Sequence, residues 1–165
     1  MKKIILLFAV FVFSFARLSA QQTPASGDMQ HSSTGHIMLN TGDFKWMDAP
    51  PGLPAGAKVA VLSGDPSKPG PFTLRAMFPE NYKVPPHTHP SYENVVVLEG
   101  SLYMGSGEKI EESKAMKLDA GGYSAIPAKA PHYVFCKEKV TIQVNGEGPF
   151  AINYINAADD PRNKK

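Results

Sequence analysis

Three of the five histidines in the 165-residue chain lie near one glutamate, at spacings that suit a metal ion. His87 and His89 are two apart in the window Pro85-Pro86-His87-Thr88-His89-Pro90-Ser91-Tyr92-Glu93. In an extended strand both imidazoles then point to one face. Glu93 follows a Pro-Ser break and can return a carboxylate to the same place. His132 closes a second window that opens at Gly121-Gly122-Tyr123 and passes through Pro127 and Pro131. Three neutral imidazoles and a carboxylate form a borderline-hard donor set. It suits Fe(II), Mn(II), Ni(II), Cu(II) or Zn(II) and leaves open positions in an octahedral shell. Met29, His31, His36 and Met38 are weaker candidates for copper, because their polar tract offers no fixed geometry. The single cysteine, Cys136, excludes an internal disulfide framework and a Cys-x-x-Cys metal knuckle.

The elements that must carry these residues read as short strands. Val59–Leu62 is an apolar run, and Phe72, Leu74, Ala76 and Phe78 alternate with Thr73, Arg75 and Met77. Asn94–Leu98 is almost entirely β-branched and apolar, and Leu102–Met104 returns after Glu99-Gly100. Tyr123–Ile126, His132–Cys136, Val140–Val144 and Phe150–Ile155 complete the set, with Asn145-Gly146-Glu147-Gly148 read as a hairpin turn. Only Glu111–Met116 looks helical. Eight to ten strands with turn signals every 8–12 residues predict an all-β sandwich or barrel. The Trp46-Met47-Asp48-Ala49-Pro50-Pro51-Gly52 stretch is expected to strap the barrel, with Trp46 in the core. No GxSxG elbow, Walker A loop or dinucleotide fingerprint is present.

The first window, His87-x-His89-x3-Glu93-x6-Gly100, resembles the first motif of the cupin superfamily without a gap. The second, Gly121-x5-Pro127-x4-His132, resembles the second cupin motif. The flanks look like those of small exported single-domain bacterial cupins. They are also similar to the cupin-type domain of some zinc-dependent anti-sigma factors. The resemblance implies a single cupin jelly-roll barrel over residues 36–158, with His87, His89, Glu93 and His132 as metal ligands inside one end. It implies a metal-dependent enzyme acting on a small organic molecule, with dioxygenase ranked ahead of isomerase or lyase. In that reading Glu93 is also the catalytic group, able to take a proton from a substrate hydroxyl. The alternative is a non-catalytic module that binds a metal or small ligand. Tyr92, Tyr103, Tyr123, Cys136 and Gln143 are expected around the pocket. Cys136 shares strand parity with His132, as inert core or as a thiol near the metal. Two positions depart from the motif: Lys129 stands where a Gly is usual, and Cys136 where an Asn often ends the motif.

The chain starts with basic Lys2 and Lys3, an apolar run from Ile4 to Phe15, and Leu18-Ser19-Ala20 before Gln21. These are the regions of a secretory signal peptide over residues 1–20, too short to span a bilayer. No cysteine follows the run, so a lipoprotein is not expected. Residues 21–35 read as a flexible lead-in and 159–165 as a polar tail. The mature protein is expected to be periplasmic or secreted, with no membrane span after cleavage. Without Lys2, Lys3 and Arg17, 14 basic residues face 15 acidic ones, which gives nucleic-acid binding no electrostatic support. A homodimer is expected, since an unpaired edge strand invites association.

Overall fold

Period-2 burial organises the chain from Ala57 onward. In the segment Glu93–Glu99, Glu93, Val95 and Val97 are buried while Asn94, Val96 and Leu98 are half-exposed, as an amphipathic strand requires. The computed structural model describes residues 35–164. Their eleven strands are β1 (Met47–Asp48), β2 (Lys58–Ser63), β3 (Gly70–Phe78), β4 (Lys83–Thr88), β5 (Glu93–Glu99), β6 (Leu102–Ser106), β7 (Met116–Leu118), β8 (Tyr123–Ile126), β9 (His132–Phe135), β10 (Val140–Gly148) and β11 (Asn153–Tyr154). The described helical elements are all three-residue 3-10 turns. No helix among the described residues is long and apolar enough to cross a membrane. The expected signal peptide and nearly all of the lead-in lie outside the described residues.

The strands form two antiparallel sheets in the order β1-β2-β3-β10-β5-β8 and β11-β4-β9-β6-β7. Their inner faces supply one core, with Phe72, Phe78, Val84, Val97, Leu102, Val140 and Ile142 among its members. This is the expected all-β jelly-roll barrel.

Three local expectations fail for identifiable reasons. The Asn145–Gly148 segment is not a hairpin turn, because β10 runs straight through it and pairs with β3 as far as Gly148↔Gly70. Its glycines serve close packing instead. A Cβ at Gly146 would meet the Phe72 ring at 2.9 Å, and one at Gly148 would run into the Lys68 carbonyl. Trp46 is half-buried outside the core, edge-on to Phe44 at 6.3 Å. The core under this strap is filled by Ala49 and Leu53, while the Tyr82 and Tyr154 hydroxyls donate to the Pro54 and Gly52 carbonyls. The final segment contributes only Asn153–Tyr154 as strand. Beyond it the chain makes 3-10 turns at Ala157–Asp159 and Pro161–Asn163, and Arg162 reaches back to the Ile152 carbonyl.

Gly105 in β6 is a sensitive packing point. The Tyr133 ring lies where its Cβ would go, and the Tyr133 hydroxyl donates to the Glu111 carbonyl at 2.8 Å while accepting from the Glu111 N–H at 3.1 Å. Gly105→Ala should therefore expel a fully buried ring and cost on the order of 3 kcal/mol. Urea denaturation checks this; an unchanged midpoint would show that the ring can move aside.

Candidate metal centre

Three strands and one loop bring together the three histidines and Glu93. His87 in β4 and His132 at the start of β9 are direct cross-strand partners. Glu93 opens β5 in the opposite sheet, between Gly146 of β10 and Ile126 of β8. His89 sits just past β4. All four side chains are buried, at 3–7% exposure. The Nε2/Nδ1 donor atoms chosen from His87, His89 and His132 lie within 4.8 Å of one another. Glu93 Oε2 is 3.4 Å from His89 Nε2 and 3.5 Å from His132 Nε2.

The backbone sets the histidine tautomers. His87 Nδ1 lies 2.7 Å from the Pro85 carbonyl, His89 Nδ1 2.8 Å from that of Ala151, and His132 Nδ1 3.1 Å from that of Ala130. A carbonyl only accepts, so each Nδ1 carries the proton and donates. In the neutral ring that leaves an Nε2 lone pair. The rings are braced as well: Phe150 stacks on His89 at 4.3 Å and 15°, and His87 and His132 lie 4.2 Å apart.

Electrostatics follow from this crowding. Burial, then the His132 and His89 charges, push the His87 imidazole down to about 3, so it stays neutral. Burial alone would raise the Glu93 carboxyl. The His132 and His89 contacts outweigh it and hold the acid at about 2, ionised. Three imidazoles and a carboxylate thus converge in one buried place, with Glu93 Oε2 within 3.5 Å of two Nε2 atoms, a donor set that a cation can bridge. The donor set fits a first-row divalent ion, which His87, His89 and His132 could hold.

A cavity of about 230 Å³ opens beside His132, between the edge strands β7 and β8 of the two sheets. Met104, Met116, Leu118 and Ile126 line it, with Ser106 and Ser124. Of the five side chains expected around the pocket, Tyr123 is at its rim, 57% exposed, its hydroxyl donating to Asn94 Oδ1. Tyr92 is exposed outside the lining. Tyr103 has the opposite parity to Leu102 and Met104, and stacks on Phe135 at 4.9 Å. Gln143 likewise opposes the buried Ile142 and Val144, and donates to Asn145 Oδ1 at 3.3 Å. Cys136 is core: its Sγ–H donates to the Pro79 carbonyl at 3.2 Å, and burial raises its thiol. Four residues of strand, about 13 Å, separate it from His132. Lys129 adopts the left-handed φ of +62° that favours Gly, and its N–H donates to the His89 carbonyl at 2.8 Å. Its turn thus forms without glycine and ties the second window to the first. The bracing roles of Phe150 and the Ala151 carbonyl escaped the sequence reading, since nothing local marks a residue 62 positions from His89 as its partner.

Comparison with known proteins agrees with this fold. Residues 27–153 match the family described as "Domain of unknown function (DUF4437)". No curated protein matches the chain. Among solved structures, the polyketide cyclase RemF from Streptomyces resistomycificus has a TM-score of 0.63 at 18% identity, covering 76% of this chain and 89% of its own. A proposed acetylacetone dioxygenase from Methylibium petroleiphilum has a TM-score of 0.59 at 16% identity, covering 76% and 85%. An RmlC-like cupin from Shewanella frigidimarina has a TM-score of 0.53 at 15% identity, covering 69% and 93%. At these identities the likeness speaks for the fold alone. The two sequence motifs, the two-sheet barrel and the family match lead to one assignment: the chain is a cupin-superfamily protein and belongs to the DUF4437 family.

Proposed function

We propose that the protein is an exported, metal-dependent cupin enzyme that acts on a small organic molecule. The observation that carries the reading is the convergence of three carbonyl-anchored imidazoles and the Glu93 carboxyl in one buried place. His87, His89, His132 and Glu93 would hold a first-row divalent ion. When bound, that ion supplies Lewis acidity, or O₂ chemistry if it is Fe(II). The cavity beside His132 would give a small molecule a route to the centre. Glu93 would take a proton from a ligand hydroxyl. Dioxygenase chemistry ranks first and isomerase or lyase chemistry second; similarity to a structure named as a proposed acetylacetone dioxygenase supports that order only through the shared fold. The apolar leader supports a periplasmic or secreted location.

The alternative is a binding module without turnover. Four protein donors suffice to close a tetrahedral zinc shell, the pattern of structural zinc sites. An O₂-uptake screen of simple phenols and enediols with Fe(II)-loaded protein separates the two. Consumption with at least one compound is expected, and Glu93→Gln that retains iron should slow it a hundredfold or more. Undiminished uptake by that variant would remove Glu93 from the chemistry, and retention of a compound without product would favour the module.

A further inference from the structure

The cavity between β7 and β8 carries information about what can enter it. Eight of its twelve lining residues are apolar, and the remainder are Ser106, Ser124, Tyr123 and His132. No lysine or arginine lines it. The nearby cations are engaged or turned away: Lys117, which alternates with Met116 and Leu118 along β7, pairs with Asp119 at 2.7 Å, and Lys129 is exposed outside the lining. Behind His132, the Glu93 carboxyl lies 3.5 Å from its Nε2. An anionic ligand would shed its hydration here and meet no cationic side chain along the wall. A neutral molecule would bury its apolar body against Met104, Leu118 and Ile126, and its few polar atoms could meet the two serine hydroxyls. Ser106 lies directly across from His132 in the β6–β9 register, so one such hydroxyl stands beside the centre. Methionines at two points of the wall, Met104 within and Met116 at the mouth, let the lining adapt to the shape of its guest.

We propose that this cavity is the ligand channel of the metal centre and that it selects a neutral, apolar-bodied molecule with a small polar head, an alcohol, phenol, enol or ketone, over carboxylates and phosphates. The channel's link to catalysis rests on the metal-centre reading above. The charge preference does not.

The test is an NMR titration of the full mature protein carrying ¹³C-methyl methionine, with Met104→Leu and Met116→Leu used for assignment. Phenol and benzoate, which share a ring and differ in charge, are the probes. Each is titrated into zinc-loaded and into chelator-treated protein. Phenol should shift the Met104 and Met116 methyls with a Kd at least tenfold below that of benzoate in the chelator-treated sample. Met116→Lys, at a position 68% exposed, should tighten benzoate tenfold or more. Equal or tighter binding of benzoate by the unsubstituted protein, or no shift of either methyl with phenol, would overturn the proposal. Because the chelator-treated arm needs no metal, a failure of the metal-centre reading would leave this result standing.

Discussion

Replacing His132 with alanine should lower the affinity for zinc or Fe(II) by a hundredfold or more while leaving the barrel folded. His132 is central to the cluster: its ring is 4.2 Å from that of His87 and 5.2 Å from that of His89, and its Nε2 is 3.5 Å from Glu93 Oε2. Loss of partners that merely orient ligands already costs 10–100-fold in metal affinity, and removal of a donor should exceed that. The side chain adjoins the cavity, so its truncation enlarges an existing space rather than opening a sealed void. Competition with a chromophoric chelator measures the affinity, and circular dichroism the fold. Cys136→Ser is the matched control. Its thiol belongs to the core some 13 Å along the strand, so metal affinity should not change. An unaltered affinity in His132→Ala would dismantle the proposed centre; a loss in Cys136→Ser would place the thiol in it.

The second large effect is acid lability of the metal-free protein. His87 is held at about 3, below its ordinary 6.5, so the unfolded chain binds a proton that the folded chain refuses anywhere between those values. Stability from this group is complete above pH 6.5 and is lost as pH falls toward 3. Glu93, held at about 2 against an ordinary 4.5, adds a second loss below pH 4.5 of the same sign. Between pH 6.5 and 4 the His87 contribution amounts to roughly 3 kcal/mol, a large fraction of a typical domain's stability. Urea midpoints of chelator-treated protein at pH 7.5, 5.5 and 4 should fall steadily, and His87→Gln should flatten the upper part of that range. A midpoint constant from pH 7.5 to 4 would mean that the buried imidazole accepts its proton freely in the folded state.

The strands most legible in the sequence are those with strong β-branched content and a buried face. Tyr123–Ile126 was bounded correctly, and Asn94–Leu98 fell within Glu93–Glu99. The strand Lys83–Thr88 was hidden by Pro85 and Pro86, residues that cannot donate to a ladder. It survives between two neighbours because the register with β9 shifts between Val84 and His87, so neither proline is asked for an N–H. Pro86 serves only as an acceptor, for the Ile155 N–H at 2.9 Å. The glycines of Asn145–Gly148 misled in the opposite direction: a turn and a close approach of backbone to an aromatic ring require the same residue, and only the partner, Phe72, distinguishes them. At the site, spacing and motif were enough to name His87, His89, Glu93 and His132. They could not supply the carbonyls that set the imidazole tautomers, because those belong to backbone whose position depends on the completed barrel. Nor could they supply the cavity. Its wall draws on the edges of both sheets, and four of the five side chains chosen for it lie elsewhere, since strand parity alone does not say which face a pocket occupies.

The proposed function requires a cation at the centre of the four convergent side chains. Elemental mass spectrometry of the mature protein, residues 21–165, exported to a periplasm rather than refolded, tests this most directly. Close to one equivalent of a first-row divalent metal per chain is expected, with His89→Ala prepared in parallel and carrying almost none. Absence of metal from the unsubstituted protein, after export and again after dialysis against zinc and Fe(II), would contradict the account.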